Sequence, residues 1–453
     1  MLLRGVLRVA VMKYGALAGE AKTFDVRQFG AQGDGRALDT VAINQAVAAC
    51  SQAGGGVVRL SPGRYLSGTI HLKSNVTLAL DAGATLVGTA DLDQYQHFRP
   101  SGEPESRWLR WHRALVLADG AENVAMVGPG TIDGANVFDP RGEEKMRGPH
   151  AVLLGHCRGV VIRDLAIRDA ANYAILFEGT DGVEIRHVRI TGGYDGIHFR
   201  GWPGRPCRDV LIADCVLQTG DDCIAGRYWH NTRITGCTLN SSCNCVRLIG
   251  PATGLVIEKC RLDGPGLFPH RTSKRRATLA GLNLQPGAWD PTRGMLDDVR
   301  ITDVTIRNTS TAFHFTLKPG NSAGRILVER VSAAGVYLAA SSVESWAEAP
   351  FEDVVFRDVE IEYIGGGTED QANRPVKPPG TEARPLPAWG FYLRHVKRAT
   401  LEDVRLRLAK DDRRPVLLAE EVDHLVLQRV SFPPIAGVEP LRLREVKRFQ
   451  RRE

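Results

Sequence analysis

An apolar residue followed by others two, five and seven positions later recurs along this chain. It occurs at Val160/Ile162/Leu165/Ile167, Val183/Ile185/Val188/Ile190, Val210/Ile212/Cys215/Leu217, Thr232/Ile234/Cys237/Leu239 and Leu255/Ile257/Cys260/Leu262. It returns at Val299/Ile301/Val304/Ile306, Ile326/Val328/Val331/Ala333, Val354/Phe356/Val359/Ile361, Ala399/Leu401/Val404/Leu406 and Leu425/Leu427/Val430/Phe432. The step between first residues is mostly about 22 to 28, the spacing of a stacked solenoid. Apolar positions two apart require a strand, and the break before offset five requires a bend. Each unit therefore predicts one coil of an all-β solenoid, a right-handed parallel β-helix. No coil buries its own apolar face, so stacking supplies the core. Equivalent positions of neighbouring coils then lie roughly 4.8 Å apart, and residues distant in sequence align by arithmetic.

The flanks differ from these coils. Residues 1–22 read as an N-terminal extension or degenerate signal: Arg4, Arg8 and Lys13 interrupt its apolar run, which a secretory signal keeps unbroken. No clear classical signal remains, and localisation stays open between secreted, periplasmic and cytoplasmic. Phe24–Gly30 reads as a first strand and Gly33-Asp34-Gly35 as a turn. Asp39 or Thr40 then caps a helix running to about Ala53, with Ile43, Ala46, Val47 and Cys50 on one face. Such a helix plugs the end of a solenoid, which otherwise presents unpaired strand edges. Two steps are double length, 255 to 299 and 354 to 399, and each holds an extra coil or a long loop. Gly281–Gln285 looks like a strand inside the first; Gly365–Pro387, rich in Pro and Gly, reads as an irregular loop. Trp108, Trp111 and His112 lie in another irregular stretch, where aromatics either stack on sugar or pack the loop. Residues 23–433 form one catalytic β-helix domain in this reading, and 434–453 a tail.

The coil arithmetic also yields a polar column. Five residues past the last apolar position of four successive coils stand Asn172, Asp195, Asp222 and Asn244, with Asp221 beside Asp222. Three carboxylates on two neighbouring rungs repel and raise one another's pKa, so one stays protonated as an acid while another stays ionised as a base. Glycoside hydrolysis needs that division of labour.

Composition adds bounds. With 43% hydrophobic residues in 453, the chain can bury a large core as one growing solenoid. The net charge of +6 permits an acidic polysaccharide without requiring one. Nothing points to nucleic acid, no run is apolar enough to span a bilayer, and a monomer is expected. Arg271–Arg276 reads as a solvated loop. Nine cysteines cannot all pair, and Cys215, Cys237 and Cys260 share one coil position as a ladder of buried thiols. Cys243 and Cys245 lack a second pair at zinc spacing, so no metal and no cofactor is expected.

On these residues the chain resembles a known family. Phe24–Gly35, with Asp39-Thr40 and Gly54-Gly55-Gly56, is similar to the start of the pectin-active β-helix superfamily. Thr219-Gly220-Asp221-Asp222-Cys223-Ile224-Ala225, preceded by Tyr194-Asp195-Gly196-Ile197, resembles the catalytic blocks of glycoside hydrolase family 28, the polygalacturonases and rhamnogalacturonan hydrolases. The resemblance implies an inverting hydrolase of pectic poly- or oligosaccharides, with Asp221 protonating the leaving oxygen and Asp195 and Asp222 activating water. Gly193-Tyr194 replace the family's Asn-Thr before the first acid. The family's Gly-His-Gly aligns with Cys243-Asn244-Cys245, and its Arg-Ile-Lys with Asn283-Leu284-Gln285. An amide cannot replace a cation that grips a carboxylate, so typical endo-polygalacturonase action is not expected. Asn244, Asn283 and Gln285 are the substrate-binding candidates, with His198 and Arg247 on the same rungs restoring positive charge.

Two alternatives stay open at this level. Clustered aspartates also coordinate calcium, as in a calcium-dependent polysaccharide lyase or epimerase. A carbohydrate-binding β-helix without catalysis has the same repeats, although it has no need of three clustered acids.

Overall fold

The computed structural model describes residues 22–99, 102 and 112–453. The first 21 residues, Trp108 and Trp111 lie outside them. The chain winds as a right-handed parallel β-helix, in which every named strand pairing is parallel. Its register follows the apolar repeat. Val160, Val183, Val210, Thr232, Leu255, Val299, Ile326, Val354, Ala399 and Leu425 pair one with the next. Leu255 pairs directly with Val299 and Val354 with Ala399, so neither long step hides an extra coil. The added length is loop. Residues 280–284 are the third strand of an ordinary coil, between Asn244–Leu248 and Phe313–Leu317.

The bend between offsets two and five has one backbone solution. The residue at offset four (Asp164, His187, Asp214, Gly236, Lys259, Asp303, Arg330, Asp358, Asp403 and Arg429) takes φ between +51° and +65° in all ten coils. This left-handed turn reverses the side-chain parity, so that offsets two and five both face inward. Asp and Asn tolerate it better than β-branched residues. Asp358→Val is therefore expected to cost about 1–2 kcal/mol, measured by urea unfolding.

One boundary differs from expectation. Leu441–Arg452 is a strand paired in parallel with Leu417–Gln428, so the stretch read as a tail continues the solenoid. Phe449 pairs with Leu425, keeping the apolar period beneath a heavily basic sequence. At the other end, helix Thr40–Gln52 buries Ile43, Ala46, Val47 and Cys50. Asp39 does not cap it by its side chain. Its carboxylate accepts instead from the Gln32 and Gly33 amides at 2.6 and 3.0 Å, which ties down the preceding turn. All nine cysteines are free and buried, and no helix among the described residues is long and apolar enough to cross a membrane.

The third strand of each coil builds the face that matters for function. His198, Ala225, Arg247, Asn283, His314, Ser342 and Tyr392 form one column across it. The inward column beside it is apolar, running through Phe177, Phe199, Leu248, Leu284, Phe315 and Val343. Period-two alternation therefore sets polar residues over a dry core.

Candidate active site

Asp195, Asp221 and Asp222 sit where the chain turns into this third sheet. The Gly196 amide donates to the Asp222 carbonyl and the Cys223 amide to the Asn244 carbonyl, which stacks Asp195, Asp222 and Asn244 on successive rungs. The Ala174 amide donates to the Asp195 carbonyl, so Tyr173 rather than Asn172 continues the column. The coil arithmetic slips by one residue there. A Cβ on Gly220 would lie 2.4 Å from the Gly193 carbonyl oxygen, so a side chain there would push the two turns apart. Thr219 and Ser241 hydroxyls both donate to the Asp221 carbonyl, at 2.7 and 2.6 Å, fixing the backbone from which both carboxylates project.

Each acid has its own partners. Asp195 Oδ2 lies 2.8 Å from His198 Nδ1, and the His198 ring stacks on Tyr173 with centroids 4.5 Å apart. Asp221 Oδ2 accepts from Arg147 at 2.8 Å and lies 3.4 Å from His270 Nε2. Asp222 Oδ1 accepts from the Asn244 backbone amide at 3.0 Å and from its side chain at 2.7 Å, with Arg247 at 3.6 Å. Their proton affinities diverge accordingly. Burial, then the charges of Asp221 and Asp222, push Asp195 well above the usual carboxylate range. Burial also raises Asp222, against the pull of Arg247. At Asp221 burial is outweighed by His270 and Arg147, which hold the carboxyl well below that range. Burial, with Arg200 and Arg227 adding to it, keeps the His198 imidazole neutral.

The three acids line a cavity of about 280 Å³ with Glu143, Glu144, Tyr173, His198, Trp289 and five arginines, Arg147, Arg200, Arg227, Arg247 and Arg275. Loops from separate coils close it. Arg147 brings Glu144 with it at 2.7 Å. The 270–275 segment supplies His270 and Arg275, and the loop after residue 365 supplies Thr381 and Glu382.

A family model described as "Rhamnogalacturonase A/epimerase, pectate lyase-like" matches residues 23–247. The match and the curated relatives support a family 28-like, pectin-active β-helix protein. It is 28% identical over 310 residues to a polygalacturonase of Malus domestica, an alignment spanning 63% of this chain and 61% of that one. The chain thus spans less than two thirds of that relative. Among solved structures, the family 28 exopolygalacturonase of Yersinia enterocolitica is similar at TM-score 0.56 and 15% identity, over 95% of this chain and 78% of that one. PfbA, a surface adhesin of Streptococcus pneumoniae, is similar at TM-score 0.57 and 17% identity, over 95% and 93%. The shared fold therefore does not choose between enzyme and adhesin.

Against other family 28-like chains, the departures now have positions. His198 and Arg247 line the cavity. Asn244 lies behind Asp222 as its hydrogen-bond donor. Asn283 and Gln285, read as sugar contacts, are fully buried and lie outside the cavity lining. Asn283 donates to Asn244 Oδ1 at 3.2 Å, and Gln285 to the Gly380 carbonyl at 2.7 Å. A loop covers them, which is why they cannot meet a ligand in this conformation. Reading Arg271–Arg276 as wholly solvated also needs correction: Arg275 donates to the Ser242 carbonyl at 2.9 Å and reaches the cavity rim. Arg147, His270, Arg227 and Trp289 were not singled out in the sequence. They stand outside the repeat offsets, and only His270, flanking the basic run, had a nearby signal.

Asp221, Asp222 and Cys243 bring one potential ligand atom each within 4.8 Å of one another, the one such group among the described residues. The set does not fit calcium, which takes about six to eight oxygens. Asp221 is already paired with Arg147 at 2.8 Å, and burial keeps the Cys243 thiol protonated.

Proposed function

We propose that this chain is a glycoside hydrolase that cleaves an acidic, pectic glycan at a chain end or in a short or substituted oligosaccharide, with inversion. The observation that carries the reading is the convergence of Asp195, Asp221 and Asp222, differently protonated, in one arginine-lined cavity. Two carboxyls of opposite protonation supply the acid and the base of a single displacement. A binding groove gains nothing from three acids that oppose one another's ionisation, and calcium-dependent elimination finds no suitable donor set among the described residues. The family's lost cations at 283 and 285 are offset from neighbouring positions. Arg247 sits one rung away over the Trp289 ring at 5.2 Å, and Arg227 and Arg275 flank it. Guanidinium groups bind carboxylates in a planar fork, so an acidic sugar remains the fitting ligand.

The shape argues for attack at an end. The carbonyls of Pro379, Gly380 and Thr381 accept from Lys318, Gln285 and Arg247, which stand on three successive coils. Arg384 anchors the same strap to buried Glu344 at 2.8 and 2.7 Å. The strap thus runs along the surface that a polymer would need beyond the acids.

Incubation with polygalacturonic acid and with rhamnogalacturonan oligosaccharides tests this. Slow release of short products with little fall in viscosity is expected from the first, and faster turnover from short or branched substrates. A sharp viscosity drop would overturn the chain-end assignment. Products that absorb as unsaturated uronides would replace hydrolysis by elimination.

A further inference from the structure

Each of the five cavity arginines has an acidic neighbour, and they differ in how closely it is held. Arg147 lies 2.8 Å from Asp221, Arg227 2.9 Å from Asp290, Arg200 3.3 Å from Glu178 and Arg275 3.3 Å from Glu382. Arg247 reaches Asp222 only at 3.6 Å, through Nη1. The other edge of its guanidinium carries Nε and Nη2, whose N–H bonds run side by side and match the two oxygens of a carboxylate. Nη2 donates to the Thr381 carbonyl at 2.8 Å. Nε is buried without a hydrogen-bond partner, in a side chain that is 4% exposed and lines the cavity. A neutral carbonyl oxygen thus fills one position of a two-pronged anion site. A buried N–H left unpaired is costly.

We infer that the Nε/Nη2 edge of Arg247 binds the carboxylate of an ionised uronate, which takes the place of the Thr381 carbonyl. This rests on the acidic-glycan reading above and narrows it to free, non-esterified uronates. Hydrogen bonds from a cation to an anion are roughly twice as strong as neutral ones, so the exchange favours the carboxylate. The surroundings agree. The Trp289 ring, 43% exposed, lies against the guanidinium at 5.2 Å; such stacking takes a face and leaves the edges to hydrogen bonds. Ala225 precedes Arg247 in its column, and His198 precedes Ala225. The single methyl group of Ala225 leaves space beside the guanidinium, and all three residues line the cavity. Asp222 lies on the rung of Ala225, so a sugar gripped by Arg247 sits beside the acids.

Specificity follows from the exchange. A methyl ester carries no charge with which to displace Thr381, and the edge then stays with the strap. The strap keeps its other anchors, the Gly380 and Pro379 carbonyls on Gln285 and Lys318, and Arg384 on Glu344. Carboxylate binding therefore frees only the segment around Thr381, while the rest of the strap stays down.

Because Arg247 also neighbours Asp222, turnover alone mixes two effects, and binding of monosaccharides separates them. Galacturonate and its methyl ester are titrated calorimetrically into the full chain. The wild type is expected to prefer galacturonate by about 10²-fold, the scale of one buried charge-assisted pair. Arg247→Gln is expected to abolish that preference. Arg247→Lys, which keeps the charge without the fork, should restore part of it. Thermal unfolding of each variant checks that it is folded. A preference that survives in folded Arg247→Gln overturns the inference, as does a wild type that fails to discriminate. The nitrogen-15 Nε resonance of Arg247, identified by its loss in Arg247→Lys, gives a second readout. It is expected to move with galacturonate and not with the ester; a resonance that galacturonate leaves in place refutes the assignment. Hydrogen exchange around Thr381 should quicken with galacturonate, and slower exchange there would refute the displacement of its carbonyl. A chain that binds galacturonate through Arg247 but cleaves no galacturonide keeps this inference and loses the hydrolase. Cleavage of trigalacturonate, with the ester preference unchanged in Arg247→Gln, does the reverse.

Discussion

Asp221→Asn is expected to lower kcat/KM on an acidic glycan by about 10³-fold or more, the scale on which a positioned acid or base contributes. The substitution keeps the shape of the side chain and removes only its charge and one acceptor. It therefore isolates the carboxylate's part in the chemistry. A cost in stability accompanies it. Arg147 is buried and divides its Nη2 between Asp221 at 2.8 Å and Glu144 at 2.7 Å, so it keeps one partner when the other is neutralised. Loss of one such bond costs roughly 1–3 kcal/mol, too little to unfold a solenoid of this length. Turnover and thermal unfolding measured on the same preparation separate the two effects. A folded variant with activity within tenfold of wild type would remove Asp221 from the mechanism, whichever proton it was thought to handle.

Phe356→Ala is expected to destabilise the C-terminal coils by about 3–5 kcal/mol, as for other buried aromatic truncations. Phe356 is 1% exposed and touches the rings of Phe313, Phe315 and Phe391, with centroids 5.5, 6.4 and 5.0 Å away. These rings come from neighbouring coils, and a solenoid's stability is a sum of coil and interface terms. The cavity left behind therefore weakens several interfaces at once. Hydrogen exchange should show protection lost first around residues 313–391, while the coils carrying Asp195 and Asp221 hold longer. Glu344 and Lys318, which anchor the strap, lie in the weakened region, so the strap should loosen with it. Phe356→Leu should recover much of the loss by refilling the space. Uniform loss of protection along the whole chain would contradict this nearest-neighbour picture.

The coil register was legible in the sequence because every coil solves the same problem. Offsets two, five and seven must face one dry interior, and the left-handed residue at offset four is the turn that permits it. That arithmetic carried as far as Asp195 over Asp222, since both lie within a few residues of an apolar anchor. It failed by one residue at Asn172, where the turn before Tyr173 differs in length. The strand at Leu441–Arg452 is not legible in the sequence, because charge hides an apolar period that is read only against its neighbour.

The sequence alone therefore determined the solenoid, the order of its coils and the meeting of three acids. Only the tertiary structure decided what surrounds those acids. Arg147, His270 and the Pro379–Thr381 strap come from loops that obey no repeat, and they arrive at one cavity because stacking projects all such loops from the same side of the helix. Which carboxyl keeps a proton depends on donors and acceptors a few ångströms away. Distances of that kind are created by folding and have no counterpart in spacing along the chain.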